Sequence, residues 1–168
     1  TALAALSGLA IASSDMARMA QAGECDHVGV RCGIMDQLAS ATGRKDHALM
    51  IDCRSLDVRP VALPAGVEIL IVHSGVERGL VEGAYNERRA QCEAAAAAVG
   101  VAALRDADLA MLERARLDPL TLARARHVVT ENDRVLAAAE ALATGDLMAM
   151  GALMAASHRS MRDDFEIT

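Results

Sequence analysis

The chain has 168 residues, a formal net charge of -6 at pH 7 and an apolar content of 53%. Charged residues interrupt the apolar stretches before they reach the roughly 18 residues that a membrane-spanning helix needs, so we expect no membrane association. The acidic balance and the single Tyr and single Phe disfavour nucleic-acid binding, which uses basic residues at phosphates and aromatic rings at bases.

The beginning of the chain lacks the features of a secretory signal, since it has no basic stretch before an apolar one and no convincing cleavage site. The cysteines form no C-x-x-C pair and no zinc-like spacing, and the histidines form no local ligand pair. We therefore expect a cytoplasmic location, no transition-metal site and reduced thiols at Cys25, Cys32, Cys53 and Cys92.

The first predicted element is a helix that begins at Ser13 or Ser14. Asp15 then lies in its first turn, where the helix dipole favours an anion. Glu24 lies near the end of this helix, and from the residues alone a surface position is its plainest interpretation. The predicted apolar face consists of Met16, Met19 and Ala20.

A second, short helix is predicted over residues 35–42, closed by Gly43. Asp36 lies in its first turn, where exposed backbone N–H groups and the helix dipole favour an anion by about 0.3–1 kcal/mol. Three roles remain open for this carboxylate, namely a helix cap, a buried structural charge and a catalytic base.

Strands are predicted next. Residues 47–53 and 57–63 are rich in strand-forming types, and Pro60 favours a sheet edge for the second of them. Residues 67–75 are predicted as a stronger strand because they contain a continuous apolar run.

Helical periodicity dominates after residue 84. The alanine-rich segment before Gly100 predicts a helix with a small-residue packing face, ended by that glycine. The change from strands to helices around residues 64–66 predicts a boundary between residues 1–65 and 66–168. The clearest helical spacing comprises Ala125, Val128, Val129, Leu136, Ala139 and Leu142.

Short motifs identify no enzyme class, because neither a phosphate-binding glycine loop nor a nucleophile elbow is present. Five longer blocks are informative together: CGIMDQ, ALMIDCRSLDVRPVALP, YNERRAQCEAAA, RARHVVTENDRVL and SHRSMRDDFEIT. In this order and spacing, the chain resembles the galactokinases of the GHMP kinase superfamily over residues 14–168.

The resemblance implies an α+β fold, namely part of the two-lobed GHMP kinase fold. Residues 1–65 would complete an N-terminal lobe like the second domain of ribosomal protein S5, and residues 66–168 would begin a mainly helical C-terminal lobe. The implied activity is ATP-dependent phosphorylation of galactose at its anomeric hydroxyl, with Mg²⁺ and without an obligate protein partner. A related kinase for N-acetylgalactosamine or arabinose and a non-enzymatic sugar sensor are the alternatives.

The resemblance also implies roles for particular residues. Asp36 matches the catalytic aspartate that faces the sugar hydroxyl, and Glu24 matches an acidic magnesium ligand. Gly33 and Tyr85 match positions that contact the sugar, while a turn glycine and a core tyrosine are their plainer interpretations. The ATP-phosphate loop of these kinases has no counterpart in the chain, so the 168 residues alone are expected to be inactive.

Two charged groups are predicted to be structural. Arg88 and Arg89 lie among glutamates on the alanine-rich helix, which favours solvated ion pairs. Asp163 and Asp164 are predicted to organise the junction between a helix and a loop.

Overall fold

The computed structural model describes residues 6–29, 31–73, 75 and 81–167, with the backbone alone for residues 81–84. The chain divides into two compact units, Thr1–Glu68 and Ile69–Thr168. Helices and a small sheet make the fold α+β, as predicted. The assignment of residues 1–65 and 66–168 to the two lobes of a kinase stays a prediction.

The first unit combines helices with an antiparallel hairpin. Helix α1 at Ser13–Gly23 leads directly into a π-helical turn at Glu24–Val28. The bounds of the other elements are Met35–Thr42 for α2, His47–Ile51 for β1 and Val58–Ala62 for β2. The predicted helix that contains Asp36 and both strands of the hairpin are confirmed.

The core of the first unit lies between α1 and α2. Ala17 of α1, Ile34 and Leu38 are buried together, and partly buried residues of the hairpin pack against them. The predicted apolar face of α1 is wrong, because Met19 is 65% exposed and Ala20 is also exposed. A small residue, Ala17, makes the helix contact, and sequence periodicity weighted the larger side chains instead.

The hairpin explains why a proline is tolerated in β2. The register pairs His47 with Ala62 and Ile51 with Val58, which places Pro60 opposite Leu49. Proline has no N–H to donate, and each strand of a two-stranded sheet has one open edge where such a residue costs little.

The predicted strand at residues 67–75 is wrong for the described part of that segment, since residues 67–73 and 75 form no strand. Its apolar side chains are exposed, with Ile71 reaching 90%. A strand requires a hydrogen-bonded neighbour as well as apolar residues, and within the described ranges the sheet consists of β1 and β2. Ser74 of this prediction lies outside the described residues.

The second unit is mainly helical from residue 81 onward, after the irregular residues 69–73 and 75. A 3₁₀ turn at Leu104–Asp106 follows the first of its helices, and a π-helical turn at Met161–Phe165 follows the last. The helices are α3 at Val81–Val99, α4 at Leu109–Arg114, α5 at Pro119–Thr144 and α6 at Leu147–Ser160. None of the described helices is both long and apolar enough to cross a membrane.

Capping side chains and glycines set the helix ends in this unit. The carboxylate of Asp118 accepts hydrogen bonds from the N–H groups of Leu120 and Thr121 at the start of α5. Gly100 follows α3 with φ of +77°, a left-handed conformation in which glycine is favoured. The predicted helix stop at Gly100 is confirmed.

The core of the second unit is built from small side chains. Helix α3 contributes Ala95 and Ala96, and these contact the other buried residues of the cluster, namely Leu104, Leu112, Ala125 and Val129. The predicted packing face of the alanine-rich segment is therefore confirmed. The predicted face of α5 is confirmed at Ala125, Val129 and Ala139, whereas Leu136 is 58% exposed.

Candidate functional site

The candidate site of the first unit lies in the segment between α1 and α2 and in the first turn of α2. Glu24 is the first residue of the π-helical turn, and its side chain is exposed. Gly29 ends this turn with φ of +83°, so the chain reverses direction before it enters the segment that begins at Arg31. Residues 24 and 32 are thereby brought together.

A thiol connects the two segments. Cys32 Sγ donates a hydrogen bond to Glu24 Oε2 at 3.3 Å, and Gln21 Nε2 donates to the carbonyl oxygen of Cys32 at 3.0 Å. Partial burial, and then the hydrogen bonds with Glu24 and Cys25, raise the pKa of the Cys32 thiol to about 11. Cys32 is therefore a protonated donor at neutral pH, and its hydrogen bond positions the Glu24 carboxylate.

Asp36 is an exposed side chain in the first turn of α2. The N-cap of this helix is Ile34, and no side-chain hydrogen bond caps the helix. Two of the three roles open to Asp36 are thus removed, because its carboxylate is neither buried nor an N-cap acceptor. An anion held at the positive end of a helix and open to solvent can accept a hydrogen bond from a bound hydroxyl group.

Gln37 was not identified from the sequence. This side chain is 9% exposed, and its Oε1 atom has no hydrogen-bond partner in the described part of the chain. Buried polar atoms are nearly always paired in native proteins, so Oε1 marks a point where a further donor is expected. Nothing in the sequence around Gln37, which directly follows Asp36, distinguishes it from an exposed glutamine.

Metal binding is predicted at Glu24 alone. Among the described residues, no three His, Cys, Asp or Glu side chains gather into a group that could hold a metal ion. A Mg²⁺ ion that accompanies nucleotide phosphates needs only one or two carboxylates from the protein, since phosphate and water supply the other oxygens. An exposed carboxylate such as that of Glu24 has suitable chemistry, and its role stays a prediction.

Tyr85 belongs to the second unit, on the first turns of α3. Its side chain is 42% exposed, so a fully packed core position is excluded as its role. The predicted sugar site combines Gly33 and Asp36 of the first unit with Tyr85 of the second. That Gly33, Asp36 and Tyr85 form one sugar site stays a prediction.

The two arginines of α3 differ in role. Arg89 forms the predicted ion pair, with Nε 3.0 Å from Glu93 Oε1. Arg88 makes a contact that was not predicted, since its Nε donates to the carbonyl oxygen of Phe165 at 2.7 Å. A rule based on neighbours within one helix cannot detect a partner that lies 77 residues further along the chain.

A buried arginine holds the end of the second unit. The guanidinium of Arg124 donates to the Asp164 carbonyl oxygen at 2.6 Å and to Glu166 Oε2 at 2.7 Å. It also lies 5.9 Å from the centre of the Phe165 ring. The side chain is 4% exposed, so these contacts compensate a charge that burial would otherwise penalise. The sequence signal for this contact is an arginine within an apolar helix face.

Serine, histidine and aspartate also meet in this region, but not as a catalytic triad. His127 Nδ1 lies 3.0 Å from Ser160 Oγ, and the Ser160 hydroxyl donates to Asp164 Oδ2 at 2.8 Å. In a nucleophilic triad the serine proton would face histidine, whereas here it faces the carboxylate. Burial lowers the pKa of His127, which keeps the imidazole neutral.

These contacts agree with the predicted structural role of the two acids after α6. Asp164 accepts from Ser160 at the turn that ends α6, and Asp163 pairs with Arg162 at 2.6 Å. Hydrolase chemistry is not supported here, and the network instead fixes the C-terminal turn to α5.

Comparison with known proteins gives a structural match and no match to a family model. No protein-family model matches the chain. Among solved structures, Lactococcus lactis galactokinase complexed with galactose matches with a TM-score of 0.88 and 28% sequence identity. The match covers 99% of this chain and 45% of that chain, so the present chain spans less than half the length of the galactokinase. The resemblance to part of a galactokinase, predicted from the sequence, is confirmed.

Proposed function

We propose that the chain is part of an ATP-dependent sugar kinase that phosphorylates galactose at its anomeric hydroxyl and acts in the cytoplasm. The observation that carries the proposal is Asp36, an exposed acid at the positive end of α2, within a chain whose fold matches galactokinase. Phosphoryl transfer depends on positioning and charge, and a fixed anion can orient the attacking hydroxyl group.

In the proposed mechanism, the Asp36 carboxylate accepts a hydrogen bond from the anomeric hydroxyl and takes its proton as the bond to phosphorus forms. The backbone of Gly33 approaches the sugar closely, where a larger side chain would occupy the space of a hydroxyl group. The phenol of Tyr85 hydrogen-bonds the sugar. Mg²⁺, when held by Glu24 and the ATP phosphates, would neutralise charge on the transferred group.

The direct test is the assay of galactose 1-phosphate with the complete protein, ATP, Mg²⁺ and galactose. We expect product with galactose and less with N-acetylgalactosamine or arabinose. The 168-residue chain alone is expected to give none, because it contains no glycine-rich phosphate loop. Galactose binding without product from the complete protein would instead support a sugar sensor on the same fold.

For Glu24, we expect the Glu24→Gln variant of the complete protein to need about 10- to 100-fold more Mg²⁺ for half-maximal activity, the range typical of disturbing one group around a metal. Loss of an anionic oxygen donor is the reason. The matched control is Asp26→Asn, an exposed acid of the same π-helical turn, which should leave the requirement unchanged. Coincident magnesium titrations for wild type and Glu24→Gln would assign Glu24 to structure.

For Tyr85, we expect Tyr85→Phe to raise the KM for galactose about 3- to 10-fold, the equivalent of one hydrogen bond of roughly 0.5–1.5 kcal/mol. The KM for ATP should not change, since only a hydroxyl group directed at the sugar is removed. Steady-state kinetics with each substrate varied in turn measures both values. Equal increases for both substrates would indicate disturbed packing of α3.

A further inference from the structure

Two cysteines lie side by side in the first unit. Cys25 is in the π-helical turn after α1, Cys32 is in the segment before α2, and their Sγ atoms are 3.9 Å apart. Both thiols are free, and both side chains are only partly buried. A disulfide needs the sulfurs at about 2.05 Å, so formation requires an approach of roughly 2 Å.

The conformation of Gly29 is suited to that movement. Only seven positions separate the two cysteines, and the turn between them contains Gly29 in the left-handed conformation. A Cβ added at Gly29 would meet nothing within 4 Å, so no packed side chain restrains the turn at this point. By contrast, Cys92 of the second unit packs against an apolar cluster.

We propose that Cys25 and Cys32 form a reversible intramolecular disulfide, with hydrogen peroxide as the oxidant. The Cys25 thiol loses its proton, its sulfur attacks a peroxide oxygen and the O–O bond breaks, which gives a sulfenic acid and a hydroxide that takes up the proton as water. The second thiol sulfur then attacks the sulfenic sulfur, the S–O bond breaks, and the hydroxyl group leaves with the thiol proton as water. With hydrogen peroxide, two thiols lose two electrons and the peroxide gains them, which gives one disulfide and two waters.

The disulfide has a local consequence. Cys32 Sγ is the donor to Glu24 Oε2, and the oxidised sulfur has no proton left to donate. Oxidation therefore removes support from the Glu24 carboxylate and shifts the backbone next to Gly33. An effect on catalysis rests on the proposed function, whereas the disulfide itself is detected without any activity.

Peptide mapping tests the proposal on the folded chain. Arg18, Arg31 and Arg44 are trypsin sites, so Cys25 and Cys32 fall in the separate peptides 19–31 and 32–44. After mild hydrogen peroxide treatment, alkylation and digestion, we expect these two peptides to be joined and 2 Da lighter than their sum, with about tenfold less of any link to Cys53. Dithiothreitol should release both peptides.

Variants and denaturant provide the controls. Cys32→Ser should abolish the link, and Cys53→Ser should retain it. In about 8 M urea, which unfolds small domains, the preference for the 25–32 link should fall to the few-fold advantage that the shorter loop alone gives. Sulfinic acids without a link, or links to Cys53 of equal yield in the folded chain, would overturn the proposal. Failure of the link would leave the proposed kinase activity untouched.

Discussion

Asp36→Asn in the complete protein is expected to lower kcat for galactose phosphorylation by about 10²–10⁴-fold, the contribution typical of a positioned general base or orienting acid. Asparagine is nearly the same size as aspartate, but it cannot take a proton and carries no charge at the start of α2. The affinity for ATP should stay nearly unchanged, because the proposed role of Asp36 concerns the sugar hydroxyl.

Asp15→Asn is the matched control for this variant. Asp15 is likewise an exposed aspartate in the first turn of a helix, α1, where it lies 3.9 Å from Arg18. Its replacement removes a comparable interaction with a helix dipole, so a change that depends only on helix stability would appear in both variants. Wild-type turnover in Asp36→Asn, measured as galactose 1-phosphate formed, would remove Asp36 from the mechanism.

The elements that could be predicted were those determined by local residue patterns. The helix around Asp36 ends before Gly43 and the helix α3 ends before Gly100, as the glycines indicated. The two strands of the hairpin were predictable from two short strand-forming segments, because only a few residues separate the paired strands in the chain. In each of these cases, the neighbours in sequence are also the neighbours in space.

The failures involve partners that sequence patterns do not specify. Residues 67–75 have the composition of a strand, but strand formation depends on a neighbouring strand, and composition does not reveal one. The apolar face of α1 is predicted at Met16, Met19 and Ala20, whereas Ala17 makes the contact. Residue type predicted what could be buried, and packing determined what is buried.

The candidate site was predictable in part. The place of Asp36 in the first helical turn followed from local residue patterns, whereas its exposure is shown by the structure and its proposed role came from the resemblance. The contact between Cys32 and Glu24 depends on the reversal at Gly29. The contacts of Arg88 and Arg124 join segments far apart in the chain, and a helix pattern gives no information about such partners.

The second large effect is a loss of stability, which we expect when Arg124 is replaced. Arg124→Met keeps an unbranched apolar stem but removes the donors to the Asp164 carbonyl oxygen and to Glu166. We expect the free energy of unfolding to fall by about 2–4 kcal/mol, because a single hydrogen bond to a charged group contributes roughly 1.5–3 kcal/mol. Relief of the desolvation of a buried cation acts in the opposite direction and limits the loss. Urea denaturation followed by circular dichroism measures the change.

Arg126→Met is the matched control, since it lies two residues away on the same helix. Its guanidinium is half exposed and 3.7 Å from Asp164, whereas that of Arg124 is 4% exposed. Exposed ion pairs contribute roughly 0–1 kcal/mol, so this variant should unfold close to the wild-type midpoint. If both variants shifted the midpoint equally, the stability of the C-terminal turn would come from surface charge. A larger shift for Arg124→Met would assign it to the buried guanidinium, which joins α5 to the turn after α6.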